Sequence, residues 1–159
     1  MSEGGVAADI KEGPVGLGGW LLLPMLGLFA APLIGLAGLV DFSGLKDAWP
    51  YLTAVQASFI VIELVLNAIL LFVAPITLLF FMFKRLEIFP GWYMIWLAAA
   101  PIIVIADAML GKAIFPEMFA GEDVFDKDTV RNIGRSIISA AIWIPYTMRS
   151  ERVANTFVR

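Results

Sequence analysis

Residues Thr53 to Phe83 read TAVQASFIVIELVLNAILLFVAPITLLFFMF, and Glu63 is the one ionisable side chain among them. As a single helix rising about 1.5 Å per residue, this run exceeds a bilayer hydrocarbon core of about 30 Å, so it must tilt, bend or project. Pro75 lacks a backbone N–H, which places a kink between Leu71 and Pro75 that a neighbouring helix has to support. Upstream, Leu17 to Val40 carries no charge and is long enough for one crossing at roughly 20 residues. Downstream, Trp92 to Leu110 is a third apolar run with Pro101 inside it, and Val130 to Met148 is a fourth that opens with Arg131 and Arg135. The expectation is an all-α polytopic membrane protein, a four-transmembrane-helix bundle with helices at about 17–40, 53–83, 92–110 and 130–148. These form one transmembrane domain at 17–148, between an N-terminal tail at 1–16 and a basic C-terminal tail at 149–159. The connections DFSGLKDAWP, KRLEIFPG and GKAIFPEMFAGEDVFDKDT are short and rich in turn residues, with no room for a further domain.

Composition points the same way. Hydrophobic residues make up 60% of the 159 and charged ones 16%, more apolar surface than a soluble domain of this size can hide, so lipid or a protein partner must serve as solvent. The chain has no cysteine and no histidine. That removes thiolate nucleophiles, disulfides, Ser-His and Cys-His dyads, and zinc or haem ligation by those side chains, and it points to a chain that is not an enzyme and holds no cofactor or metal. A net charge of −3 with scattered bases offers nothing to track a phosphate backbone, so nucleic acid is not an expected partner. The glycine-rich Gly16 to Leu22, GLGGWLL, lacks the preceding strand and the third-glycine spacing of a nucleotide cradle.

Orientation follows from lysine and arginine, whose translocation is disfavoured. With four crossings, Lys11, Lys84, Arg85, Arg149, Arg152 and Arg159 share one side, against Lys46, Lys112 and Lys127 on the other, to which Arg131 and Arg135 add if they count as loop residues. The expectation is a bacterial cytoplasmic (inner) membrane protein with both termini in the cytoplasm. Trp20, Trp92, Trp143 and Tyr146, with Arg149 and Arg152, are the expected anchors at that interface, and Trp49 and Tyr51 fall near the other.

Three ionisable residues interrupt the apolar runs: Glu63, Asp107 and Arg135. Each costs about 2.5–3.5 kcal/mol at mid-membrane on insertion scales, so all three are expected to face the bundle interior, Asp107 paired with Arg135 and Glu63 beneath them with Asn67 one turn on. Such an intramembrane polar cluster is either a proton, cation or small-solute path, or an interhelical clamp with Arg135 snorkelling to the interface. Gly27, Ala31 and Gly35, with Gly38 nearby, form a small-residue face on the first helix, suited to packing within the bundle or to docking a partner subunit. The acidic third connection, Glu117, Glu122, Asp123, Asp126 and Asp128, is read as a solvated face over an aromatic strip, with Asp128 or Thr129 capping the fourth helix. In the C-terminal tail, Val153 and Phe157 stand one turn apart, as in a short helix lying in the membrane surface.

GLGGWLLLPMLGL at Gly16 to Leu28 and RSIISAAIWIPYTMRSERVANTF at Arg135 to Phe157 together resemble the bacterial inner-membrane family known as domain of unknown function 2569. The resemblance rests on Gly18, Gly19, Trp20, Arg135, Ser136, Trp143, Pro145, Tyr146, Ser150, Arg152, Val153, Thr156 and Phe157. It implies a four-helix membrane unit and no particular activity. Two functional expectations result: a non-enzymatic structural or accessory subunit packing against other membrane proteins, or an oligomeric small-solute or ion transporter using the Glu63, Asn67, Asp107 and Arg135 cluster. The expected partners are the lipid bilayer and either another membrane protein or further copies of the chain.

Overall fold

The computed structural model describes residues 13–38, 44–121 and 123–158. Lys11, Glu122, Arg159, most of the expected N-terminal tail and the end of the first apolar run near Val40 lie outside these residues. Every regular element among the described residues is helical.

The first helix begins later than its apolar run. Gly16 and Gly19 adopt φ of 99° and 61°, left-handed conformations open to glycine and unfavourable for side chains with a Cβ, so the chain turns here. A 3-10 turn at Gly19–Leu21 leads into α1, Leu22–Gly38. The connection after it contains a short helix not anticipated from the sequence, α2 at Leu45–Ala48, and a 3-10 turn at Trp49–Tyr51. The long run Thr53 to Phe83 is one continuous helix in three parts: α3 at Ala54–Ala68, a π-helical turn at Ile69–Val73, and α4 at Ala74–Lys84. Thr53 opens it with a capping box: its Oγ1 accepts from the Gln56 N–H, and Gln56 Oε1 accepts from the Thr53 N–H at 2.9 Å.

The π turn falls where a proline kink was expected, and Pro75 accounts for its form. The Ala74 N–H bonds to the Ile69 carbonyl, five residues back. Continuing that ladder, residue 75 would bond to Leu70, but proline has no N–H to give. The orphaned Leu70 carbonyl accepts instead from Trp96 Nε1 on the neighbouring helix, at 2.9 Å.

That neighbour, α5, covers Phe89–Ile114, longer than the expected 92–110 at both ends because Pro90 suits a first helical turn and Lys112 a last one. α6 covers Lys127–Arg149, with Asp126, not Asp128 or Thr129, as its N-cap. Ser150 then caps α7, Glu151–Thr156.

Three helical stretches, Gly19–Ala37, Ala54–Lys84 and Phe89–Ile114, are long and apolar enough to cross a membrane. α6 differs in kind: its 23 residues match them in length, but it is amphipathic, with exposed Arg131 and Arg135 on successive turns. It lies antiparallel along α5. Its first turns, at Thr129 and Asn132, share a cavity with Gly111 and Phe115, while Trp143 and Ile144 near its end pack on the cluster containing Phe89 and Tyr93.

The core sits at one end of the molecule. Leu21 and Leu28 from the N-terminal part, Leu78 and Met82 of α4, and Phe89, Tyr93 and Leu97 of α5 form it. Val153 and Phe157 complete it: Phe157 stacks on Phe89 at 4.5 Å between ring centroids, and Phe89 on Tyr93 at 5.5 Å. This corrects the expected in-plane surface helix, because the apolar face of the tail is spent on the chain's own core. Trp143 and Tyr146 are also partly buried against this core and meet edge to face at 5.6 Å, whereas Trp20 and Trp92 are exposed. α3 and the π turn, by contrast, contain no buried residue.

Candidate functional site

Beyond the core the helices part, and the space between α3 and the second half of α5 is a cleft. Glu63 and Asp107, half-buried, face it from opposite walls, and each lines two cavities. The inner one, about 340 Å³, runs past Asn67 and Leu70 to Trp96. The outer one, about 570 Å³, reaches Phe59, Phe115 and Phe119, with Thr129 and Asn132 contributed by α6. The two carboxylates stand at the divide, within electrostatic reach of each other. Asn67 sits one turn beyond Glu63, and its Nδ2 donates to the Glu63 carbonyl at 3.0 Å.

Three of the four expected cluster members therefore meet, and the fourth does not. Arg135 is exposed and forms no pair with Asp107, whereas Arg131 pairs with Asp128 at 3.2 Å on the first turn of α6. Helical period explains the miss. The face of α6 turned toward the cavities and core carries Thr129, Asn132, Ala140, Trp143 and Ile144, and Arg135, one turn after Arg131, falls on the outward face.

Two side-chain hydrogen bonds bracket the carboxylates. At the outer end, Gln56 Nε2 donates to the Ile114 carbonyl at 3.3 Å, beside an edge-to-face contact of Phe59 and Phe115 at 6.1 Å. At the inner end stands the Trp96 to Leu70 bond. Sequence reasoning passed over Gln56 and Trp96, yet both left signals: the pattern Thr53-Ala-Val-Gln56 marks a capping box, and a mid-span tryptophan needs an acceptor just where Pro75 frees one.

The small-residue face divides. A Cβ on Gly35 would lie 2.8 Å from the Phe72 ring, and Ala31 is buried, so these two serve close packing within the chain. Gly27 meets nothing within 4 Å, and Gly38 closes α1. In the acidic connection Asp126 has an ordinary role: its carboxylate accepts from the Thr129 N–H at 2.8 Å, and hydrogen bonding to Thr129 holds it below the usual aspartate range.

At the opposite end of the molecule the segment before α1 and the segment of α7 clasp. The Gly16 N–H donates to Thr156 Oγ1 at 2.9 Å. Arg152 lies against Gly18 and Gly19, where added Cβ atoms would come within 3.5 Å and 3.6 Å of its guanidinium. The model of a family described as "Protein of unknown function (DUF2569)" matches residues 14–158, from just before this clasp to just after it. The chain belongs to that family. It is also similar to the inner membrane protein YdgK of Escherichia coli (strain K12), at 26% identity over 150 residues, covering 91% of this chain and 95% of that protein. No solved structure matches. In this DUF2569 chain, the two stretches that carry the resemblance are far apart in sequence but in contact in space, where they close the core.

Proposed function

We propose that this is a non-enzymatic, four-crossing protein of the bacterial inner membrane that takes a cation into the cleft between α3 and α5. The observation that carries the reading is the pairing of Glu63 with Asp107 across a cavity. Each carboxylate is costly in an apolar setting, and two side by side draw positive charge, whether a proton, a metal ion or an organic amine. Support for a fourth crossing comes from the bond of Gly16 to Thr156: two points that lie on one side of a membrane are separated by an even number of crossings. α6, antiparallel along α5, is the helix available for that passage. Support for placing the ends in the cytoplasm comes from Lys84, Arg85, Arg149 and Arg152 at their end of the molecule.

The test is flux. Purified protein in liposomes with a trapped pH dye should pass protons, alone or in exchange for added sodium or potassium, and Glu63→Gln and Asp107→Asn should each abolish it. If both variants lose stability yet match wild type in flux, the carboxylates are a packing device. The second reading, an accessory subunit, draws on the lack of buried residues along α3, which leaves a face for a partner helix. Gentle solubilisation of native membranes then recovers a constant companion, and a chain running alone as a monomer counts against it.

A further inference from the structure

The continuous helix from Ala54 to Lys84 has two mechanically unlike halves. α4 is locked into the core by Pro75, Leu78, Leu79 and Met82, all buried. α3, its 15 residues forming an arm about 22 Å long, has none. Between them the π turn and Pro75 interrupt the regular ladder, which makes the base of the arm its soft point. The two bracketing hydrogen bonds differ in what replaces them when broken. The Leu70 carbonyl sits mid-helix, where Pro75 leaves it without a backbone donor, so its bond from Trp96 is a fixture at the pivot. The Ile114 carbonyl is the last of α5, at the loop end, where water can take over from Gln56.

We propose that α3 is a gate over the carboxylate cleft: it swings on the π turn while α4 stays fixed, and the hydrogen bond from Gln56 to Ile114 is its latch. A tilt of about 20°, the scale of an ordinary helix kink, moves the tip by about 8 Å. That parts the 3.3 Å bond, separates Phe59 from Phe115, and opens the outer cavity at the end of the molecule remote from the chain's ends. The amide of Gln56 serves two purposes at once: Oε1 completes the capping box that keeps the arm helical, and Nε2 fastens its tip.

Because the chain has no cysteine, introduced pairs report distances without background. Spin labels at Val55→Cys and Met109→Cys, both exposed, span the mouth; labels at Phe83→Cys and Ile95→Cys, also exposed, lie in the fixed half. In lipid nanodiscs, Gln56→Glu keeps the acceptor of the capping box but loses the donor to Ile114. It should add a population in the 55–109 distance longer by about 8 Å, the tip displacement of the tilted arm, while the 83–95 distance is unchanged. Gln56→Met, which loses both bonds, should give the same long population. The gate is overturned if both variants keep the wild-type 55–109 distribution, or if both label pairs lengthen together, which would mean general loosening. The readout is distance alone, so it stands apart from any result on cation flux.

Discussion

Gly35 and Gly27 occupy the same small-residue motif and have opposite fates. At Gly35 even a Cβ would press on the Phe72 ring at 2.8 Å, so Gly35→Leu forces α1 away from the π turn and should cost about 1–3 kcal/mol, read as a lower unfolding temperature in detergent. Gly27 has open space around it, and Gly27→Leu should change stability by less than about 0.5 kcal/mol. If Gly27→Leu alone disrupts association with a partner, the motif has an outward use as well. Asp126 supplies a pH-dependent effect. Its carboxylate is held below the ordinary 3.8 by its bonds to Thr129, so its support for the start of α6 is complete above that value and is lost as pH falls below it, through the lower folded value. The Thr129 amide resonance should report this titration, and Asp126→Asn, a cap of similar quality that does not titrate, should abolish it.

The elements show how a proline can shape a helix without ending it. Pro75 removes one donor, the helix widens into a π turn, and Trp96 returns a donor from the next helix. Trp96→Phe keeps an aromatic ring and removes the N–H, leaving the Leu70 carbonyl without its donor. It should cost about 1–3 kcal/mol and disturb the amides of the π turn selectively, as hydrogen exchange would detect. An equal loss of protection along all of α5 would mean that the indole acts only by packing. α6 makes a related point about amphipathic helices: its apolar stripe is matched to α5, so its charged face could be placed only by knowing which neighbour it meets.

Across the molecule, the buried side chains are concentrated at the end where Gly16 meets Thr156. Val153, Thr156 and Phe157 are buried there, so these three side chains of the C-terminal segment belong to the core. Phe157→Ala should cost about 3–5 kcal/mol, and removal of residues 150–159 should expose the Phe89 and Tyr93 rings and leave the protein unstable once extracted. A tail that can be deleted without lowering the unfolding temperature would contradict this. The same concentration leaves the remote half free to open, which is where the carboxylates lie.

Length and apolarity, both readable along the chain, were enough for the helical class and the three membrane-length helices, and Pro75 and the two carboxylates Glu63 and Asp107 stood out within those runs. Periodicity also marked Val153 and Phe157 as one face. Which surface that face would meet was beyond it: a stripe suited to lipid headgroups is equally suited to a crevice, and the crevice exists only once α1, α4 and α5 have packed. Arg135 was misplaced for the same reason, since equal depth in two helices says nothing about their relative rotation. The latch of Gln56 on Ile114, 58 residues apart, and the clasp of Gly16 with Thr156, 140 apart, depend on tertiary packing, because a hydrogen bond requires its partners within about 3.5 Å and sequence separation carries no such distance.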